Sequence, residues 1–215
     1  MKVLLVDDHK IIRDGLRAIL EKQPEIDVVG EAADGHEAIE CAQKAGPDVI
    51  VMDVSMRGLN GIDATARIVS ERPGIKVIGL SMNSDRRYVL AMLSAGAGGY
   101  ILKDAASQEL IHALRTVAAG HTYLSPEITG IVVDTAVHAS RPAEAAAASA
   151  LSTREREVLQ LLAEGRTSKD IAAQLHIAVT TVDTHRRQIM CKLKIRTIAE
   201  LTKYAIREGL TSLDS

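Results

Sequence analysis

Four short apolar runs, each ending at a polar residue, constrain the fold of this 215-residue chain more than any other feature. The runs lie at 3–6, 49–52, 77–80 and 100–102, and the residues that follow them are Asp7, Asp53, Ser81 and Lys103. Runs of this kind are typical of strands that are buried on both faces of a parallel sheet. In an open α/β sheet these strands point the same way, and ligands bind beyond their carboxyl ends. The pattern therefore predicts one site built from residues far apart in the sequence.

The first 120 residues alternate between predicted strands and amphipathic helices. Strands are predicted near 2–6, 27–32, 48–52, 76–81 and 99–102, and helices near 11–21, 35–45, 62–71, 86–95 and 107–119. Turn residues such as Pro24 and Pro73-Gly74 separate them. Five βα units of this size predict an α/β fold with a doubly wound, five-stranded parallel sheet, because a barrel needs about eight units.

The strand pattern ends after Gly120, and a different organisation follows. Ser125-Pro126-Glu127 can begin a short helix that runs to about Ala136, since Pro is tolerated in a first turn. Few large apolar residues occur in 138–150, so we expect 121–149 to be a linker with at most a short helix. Residues 150–215 are predicted to form a small all-α domain of four helices, the first starting at the capping box Ser152–Glu155.

Charge is divided unequally between the two parts of the chain. Residues 1–149 carry a net charge of −5 and residues 150–215 a net charge of +3. This division indicates an acidic, metal-binding part and a part that binds a polyanion. No apolar run is long enough for a membrane span or a signal peptide, so a cytoplasmic location is expected. Cys41 and Cys191 lack metal-ligand spacing and are expected to be buried free thiols.

Carboxylates are the main chemistry of the predicted strand-end site. Asp7 and Asp8 precede a helix, where an aspartate also serves as an N-cap, but capping does not explain polar residues at four strand ends. Crowded carboxylates repel one another unless a cation joins them, and Mg²⁺ suits oxygen ligands. Asp53 is the expected nucleophile for a phosphoryl group, Lys103 would neutralise charge during transfer, and Ser81 would hydrogen-bond to the bound phosphoryl group.

Residues 1–120 resemble the receiver domain of bacterial two-component response regulators, which has a flavodoxin-like fold. The matching elements are Asp7-Asp8, Asp53 with Met56 and Gly61, Ser81, Ala95-Gly96-Ala97, and Tyr100 followed by Lys103. The resemblance implies that Asp8, Asp53 and the carbonyl of Ser55 bind Mg²⁺ directly and that Asp7 acts mainly through water. It also implies that Ser81 and Tyr100 form a switch pair, although plain packing of Tyr100 is an alternative.

One residue departs from the receiver pattern. The family usually has Pro at the position of Arg57, four residues after Asp53. Arg57 frees the loop and adds a positive charge beside the site, which affects phosphorylation kinetics or kinase contact rather than the identity of the acceptor.

The segment 168–193 has the pattern of a helix-turn-helix. Two helices are joined by a turn of three or four residues at His176–Val179. The predicted core face carries Ile171, Ala172, Leu175, Val182, Ile189 and Leu193, and the opposite face carries Thr181, Thr184, Arg187, Gln188 and Cys191. Hydroxyl groups and an Arg near a helix N-terminus suit reading of the DNA major groove. A plain helical bundle with a solvated charged face is the alternative.

Residues 151–210 resemble the LuxR-type helix-turn-helix domain, through Leu151–Leu159, Thr181–His185 and Lys192-Leu193. Joined to a receiver, this domain gives the NarL/FixJ architecture. By position, Thr184 and Arg187 are expected to contact bases, and Thr181, Lys192 and Lys169 to contact the DNA backbone. The resemblance implies a dimer interface on the last helix, through Ile198, Leu201 and Ala205.

These features predict a transcriptional regulator rather than an enzyme. A sensor histidine kinase would phosphorylate Asp53, and phosphorylation would favour a homodimer on double-stranded DNA. An aspartyl phosphatase would normally need an acid/base residue two positions after the nucleophile, where this chain has Ser55. A regulator that binds DNA independently of phosphorylation, with the receiver as a protein-interaction module, is the remaining alternative.

Overall fold

A computed structural model describes residues 1–82, 84–104, 107–138 and 151–211. The chain divides into two compact units, of which the first ends at His138. Each unit has its own hydrophobic core. Within the described ranges, no helix is both long and apolar enough to span a membrane.

The first unit is a parallel sheet that alternates with helices. Its elements are β1 (Lys2–Val6), α1 (Lys10–Leu20), β2 (Asp27–Ala32), α2 (Gly35–Ala45), β3 (Val49–Asp53), α3 (Gly61–Glu71), β4 (Lys76–Ser81), α4 (Arg86–Ser94), β5 (Gly99–Leu102), α5 (Ser107–Ala118), β6 (Tyr123–Leu124) and α6 (Pro126–His138). The strand order is β2-β1-β3-β4-β5-β6. The predicted α/β fold is confirmed, with six strands rather than five.

Alternate residues of the central strands enter two separate cores. Leu4, Val6, Ile50 and Met52 belong to one cluster, whereas Val3, Leu5, Val49 and Val51 belong to another. Successive strand residues point to opposite faces, so these clusters lie on the two faces of the sheet. All eight side chains are at most 1% exposed, which explains the continuous apolar runs in the sequence.

The sixth strand is the element that the sequence pattern did not reveal. The backbone N–H of Tyr123 donates to the carbonyl of Gly98, and that of Ser125 donates to the carbonyl of Tyr100. Helix α6 follows β6 and packs on the core of the first unit, where its residue Ile128 is fully buried. The first unit thus includes part of the segment predicted as linker, and α6 is the short helix anticipated there. The remainder of that segment, 139–149, lies outside the described residues.

The second unit contains four described helices, as predicted. They are α7 (Thr153–Ala163), α8 (Ser168–Gln174), α9 (Val179–Leu193) and α10 (Ile198–Arg207). Three of them begin with a capping box, in which Ser152 pairs with Glu155, Thr167 with Asp170 and Thr197 with Glu200. Each box satisfies two backbone N–H groups that a helix start leaves open, so the helix boundaries are encoded locally.

Candidate functional site

The carboxyl ends of β1 and β3 bring three aspartates together. Asp7 and Asp8 follow β1, and Asp53 ends β3. Asp7 is fully buried and Asp53 is 2% exposed. One ligand atom from each of Asp7, Asp8, His9 and Asp53 lies within 4.8 Å of the others, which makes this a group that can hold a metal ion. His9 was not among the predicted site residues, although its place directly after the acidic pair could have indicated it.

Lys103 reaches the same site from the end of β5. Its Nζ lies 2.6 Å from Asp7 Oδ2 and 2.9 Å from Asp53 Oδ2. The Lys103 side chain is only 7% exposed, and its backbone N–H donates to the carbonyl of Ser81 at 2.8 Å. The structure therefore places Asp7, Asp53, Ser81 and Lys103 together, as the strand-end pattern predicts.

Burial and charge perturb the ionisation of this site. Burial, aided by the negative charge of Asp7, raises the pKa of Asp53 to about 6 against the opposing effect of Lys103. Burial disfavours the ammonium of Lys103, yet Asp53 and Asp7 raise the pKa of Lys103 above its usual value. The ammonium of Lys103 pairs with Asp7 and Asp53, and Asp8 adds a third carboxylate to the group, so the site has spare negative charge for a cation.

Ser81 and Tyr100 meet on neighbouring strands β4 and β5. Their side chains are hydrogen-bonded, and burial raises the pKa of Tyr100 to about 12. Tyr100 is fully buried and Ser81 is 2% exposed. Gly79 makes this packing possible, because a Cβ there would lie 2.9 Å from Met92 Cγ and 3.2 Å from Tyr100 Cδ2. The ring of Tyr100 thus occupies space that a side chain at position 79 would fill.

The loop after Asp53 is held against the aspartate itself. The backbone N–H of Ser55 donates to Asp53 Oδ1 at 3.2 Å. Gly61 begins α3 so close to β3 that a Cβ would lie 1.9 Å from the carbonyl oxygen of Asp53. Ser55 and Arg57 are both exposed, so Arg57 presents its charge to solvent beside the site.

The second unit presents the predicted DNA-binding residues on an exposed surface. Val182 and Ile189 of α9 are fully buried, as the predicted core face requires. The residues expected to contact DNA, namely Lys169, Thr181, Thr184, Arg187 and Lys192, are all exposed. Helices α8 and α9 are also linked by a hydrogen bond from Ser168 Oγ to Asp183 Oδ1 at 3.1 Å. The helix-turn-helix pattern is therefore accompanied by a polar outer face.

Several of these exposed side chains already contact the protein. Thr184 Oγ1 donates to the carbonyl of Thr180 at 2.8 Å, and Arg187 Nε donates to the carbonyl of Asp183 at 3.4 Å. Lys192 Nζ lies 2.7 Å from Glu155 Oε2, the capping carboxylate of α7. This ion pair orients Lys192 and is a contact that the sequence pattern did not reveal.

Two parts of the sequence interpretation need correction. Leu201 and Ala205 are fully buried in the core of the second unit, so they are not available for the predicted dimer interface. The apolar face of the last helix, which the resemblance assigned to a dimer interface, instead packs α10 on α7. Ile198 remains exposed at 46%. Cys191 is exposed rather than buried, because it lies on the outer face of α9, whereas Cys41 is half-buried; both are free thiols.

Comparison with known proteins gives two family matches. The profile of the response regulator receiver domain matches residues 3–115, and that of bacterial regulatory proteins of the luxR family matches residues 149–205. The oxygen regulatory protein NreC of Staphylococcus epidermidis is 40% identical over 98% of this chain and 99% of its own length. The transcriptional regulatory protein LiaR of Bacillus subtilis is 39% identical over 99% of this chain and 100% of its own length.

A solved structure of a two-component response regulator is also similar to this chain over nearly its whole length. The structure of the two-component response regulator RcsB in complex with DNA is similar with a TM-score of 0.60 and 27% identity, covering 97% of this chain and 98% of that chain.

Proposed function

The chain belongs to the two-component response regulators that join a receiver domain to a LuxR-type DNA-binding domain and regulate transcription, and from that membership we propose that Asp53 is its phosphoacceptor. The observation that carries this proposal is the position of Asp53, buried at the end of β3 with Lys103 Nζ 2.9 Å from its carboxylate. Asp53 Oδ1 already receives a hydrogen bond from Ser55 N–H. Asp53 Oδ2, held beside Lys103, is our assignment for the attacking atom.

These contacts support the following phosphoryl transfer. An oxygen of Asp53 attacks the phosphorus of a phosphohistidine on a sensor kinase; the new P–O bond forms as the P–N bond breaks, and the imidazole leaves with the electron pair. Lys103 lies where it can neutralise the negative charge on the phosphoryl oxygens. Ser81 is adjacent and can donate a hydrogen bond to the phosphoryl group after transfer, which would release Tyr100 from its present hydrogen bond.

The residues also fit a Mg²⁺ ion, which receiver domains generally use. The buried Asp8 Oδ1 receives no hydrogen bond from any residue in the described part of the chain, and Asp7 and Asp53 lie within reach of the same point. We assign Asp8, Asp53 and the carbonyl of Ser55 as direct ligands and Asp7 as a ligand through water. The ion would neutralise phosphoryl oxygens during transfer.

The output of this switch is binding to double-stranded DNA. We assign base contacts to Thr184 and Arg187 and backbone contacts to Lys169, Thr181 and Lys192, all exposed on the second unit. Phosphorylation would favour a homodimer on two half-sites, with Ile198 as the remaining apolar candidate for the interface. Support comes from RcsB, whose dimers have been solved on DNA. Such a role is consistent with a cytoplasmic location.

Incubation with a radiolabelled small acyl phosphate and Mg²⁺ tests the acceptor. We expect the wild type to incorporate label and to shift towards dimers, and Asp53→Ala to do neither. Asp14→Ala is the matched control, because Asp14 is an exposed carboxylate that pairs with the exposed Lys10. Equal labelling of wild type and Asp53→Ala would refute the assignment of Asp53. Equal DNA binding before and after labelling would favour the phosphorylation-independent regulator instead.

A further inference from the structure

His9 brings a nitrogen donor to a site whose other donors are oxygens. Its Nδ1 lies 2.8 Å from Asp8 Oδ1 and 3.3 Å from Asp7 Oδ1. The backbone N–H of His9 also donates to Asp7 Oδ1 at 2.9 Å, which fixes the start of the side chain over the acidic pair. His9 itself is 66% exposed, so the imidazole covers the solvent side of the site.

The short approach between His9 and Asp8 is not a hydrogen bond. Asp8 Oδ1 is buried and accepts none from the residues that the structure describes, despite the 2.8 Å separation. Nδ1 does hydrogen-bond to Asp7 Oδ1 at 3.3 Å, and a cation bound among Asp7, Asp8, His9 and Asp53, whose ligand atoms lie within 4.8 Å of one another, would replace that bond in the tautomer that carries the His9 proton on Nε2. Neighbouring ligands of an octahedral ion with bonds of about 2.1 Å lie about 3 Å apart, close to the two separations that His9 Nδ1 makes.

We propose that His9 is a further ligand of the divalent cation at this site, through Nδ1, and that it raises the preference for Mn²⁺ over Mg²⁺. Mg²⁺ favours oxygen donors, whereas imidazole nitrogen suits first-row transition metals better. An oxygen-only receiver site would lack this bias. The inference rests on the proposed metal site of Asp8 and Asp53 and adds to it a ligand and a metal selectivity.

Electron paramagnetic resonance of the full chain with Mn²⁺ provides the direct test. Pulsed spectra of bound Mn²⁺ should show coupling to a ¹⁴N nucleus in the wild type, and His9→Gln should abolish it. His121→Gln is the matched control, because His121 is an exposed histidine after α5. We expect this control to retain the coupling. Absence of nitrogen coupling in the wild type, or its persistence in His9→Gln, would overturn the proposal.

Affinity measurements separate failure of His9 from failure of the site. Titration with Mn²⁺ should show that His9→Gln weakens Mn²⁺ binding by about tenfold, equal to about 1.4 kcal/mol. The affinity for Mg²⁺, measured by its competition with Mn²⁺, should change much less. An equal loss for both metals would contradict the selectivity. Asp8→Asn should weaken both. If Asp8→Asn binds like the wild type, the acidic metal site itself is refuted; if only His9→Gln has no effect, His9 alone is excluded.

Discussion

At the scale of single residues, the site depends on side chains and on one position that must have none. Asp7, Asp53 and Lys103 form a buried ion-paired group whose charges perturb one another. Gly61 matters for the opposite reason, because the start of α3 lies against the backbone of Asp53. A substituent there would displace the carbonyl oxygen of the proposed acceptor and with it the loop that carries Ser55.

Substitution of Gly61 tests this close approach. Gly61→Ala would place a Cβ 1.9 Å from the carbonyl oxygen of Asp53, so the backbone must move. We expect a loss of at least about 2 kcal/mol in the free energy of unfolding, measured by urea denaturation, together with slower acyl phosphate labelling. Gly15→Ala is the control, since, apart from its own helix, no residue that the structure describes lies within 4 Å of a Cβ there. It lies within α1 and should stabilise by about 0.5–1 kcal/mol. Similar stability of the two variants would contradict the steric argument.

At the scale of elements, β6 and α6 extend the first unit beyond the five predicted βα units. Ser125 N–H donates to the carbonyl of Tyr100, so β6 is bonded directly to the residue proposed to switch. Ile128 joins the same core cluster as Tyr88, Met92 and Tyr100. We therefore expect a change at Tyr100 to alter the packing of α6 in this core.

Truncation of Ile128 measures the contribution of α6. Ile128→Ala removes a fully buried side chain, and we expect a loss of about 2–5 kcal/mol in unfolding free energy. Val133→Ala is the control on the same helix, because Val133 is 53% exposed and should change stability by less than about 0.5 kcal/mol. Urea denaturation of both variants provides the comparison. A neutral Ile128→Ala would mean that α6 behaves as part of a linker.

The start of α7 should give the second unit a pH-dependent stability. Lys192, with the backbone of Ser152, holds the pKa of Glu155 below its usual value. A carboxyl whose folded pKa is lowered stabilises the fold above its unfolded pKa of about 4.3, and this stabilisation is lost as the pH falls through the folded pKa.

Glu155→Gln keeps a side chain that can cap α7 but removes the charge. We expect a cost of about 1 kcal/mol at pH 7, and a smaller cost as the pH is lowered below about 4. Hydrogen exchange of the α7 amides, measured at pH 7 and at a pH below about 4, reports the cost in stability at each pH. Lys192→Met should show the same pH dependence, and the double variant should cost less than the sum of the two. A cost that does not change with pH would exclude the ion pair as its cause.

At the scale of the whole molecule, an acidic first part is joined to a basic second part that is proposed to bind DNA. The net charge of +3 for residues 150–215 is modest, so phosphate contacts should be few and individually detectable. The affinity of the phosphorylated protein for its operator should therefore fall only moderately with salt, because each contact releases counterions and few contacts release few of them.

Removal of one phosphate contact tests the proposed DNA face. Lys169→Ala should reduce the slope of log affinity against log salt by about 1 without changing sequence preference. Arg187→Ala should instead cost about 1–3 kcal/mol on the operator and relax its specificity. Lys44→Ala is the control, since Lys44 lies in the first unit and pairs with Glu40. Fluorescence anisotropy at several salt concentrations measures all three. An unchanged slope for Lys169→Ala would remove it from the interface.

Local patterns in the sequence determined most of the fold and the identity of the acidic site. Continuous apolar runs predict buried parallel strands, and the topology of such a sheet brings their carboxyl ends together, so Asp7, Asp53 and Lys103 could be assigned in advance. The capping box Ser152–Glu155 likewise marked the start of α7. These features depend on neighbours in the chain or on a general rule of sheet topology.

Contacts between distant residues were decided only by the tertiary structure. The two-residue strand β6 is too short to have a periodicity, and its place beside β5 depends on hydrogen bonds to Gly98 and Tyr100. The resemblance assigned Leu201 and Ala205 to a dimer interface, but an apolar helix face can equally pack in a core, and only the packing of α10 with α7 shows that these two side chains are buried. The approach of His9 to Asp8 and the pairing of Lys192 with Glu155 depend on side-chain direction, which composition and spacing leave open. Sequence periodicity reports which face is apolar, whereas the partner of that face is set by three-dimensional packing.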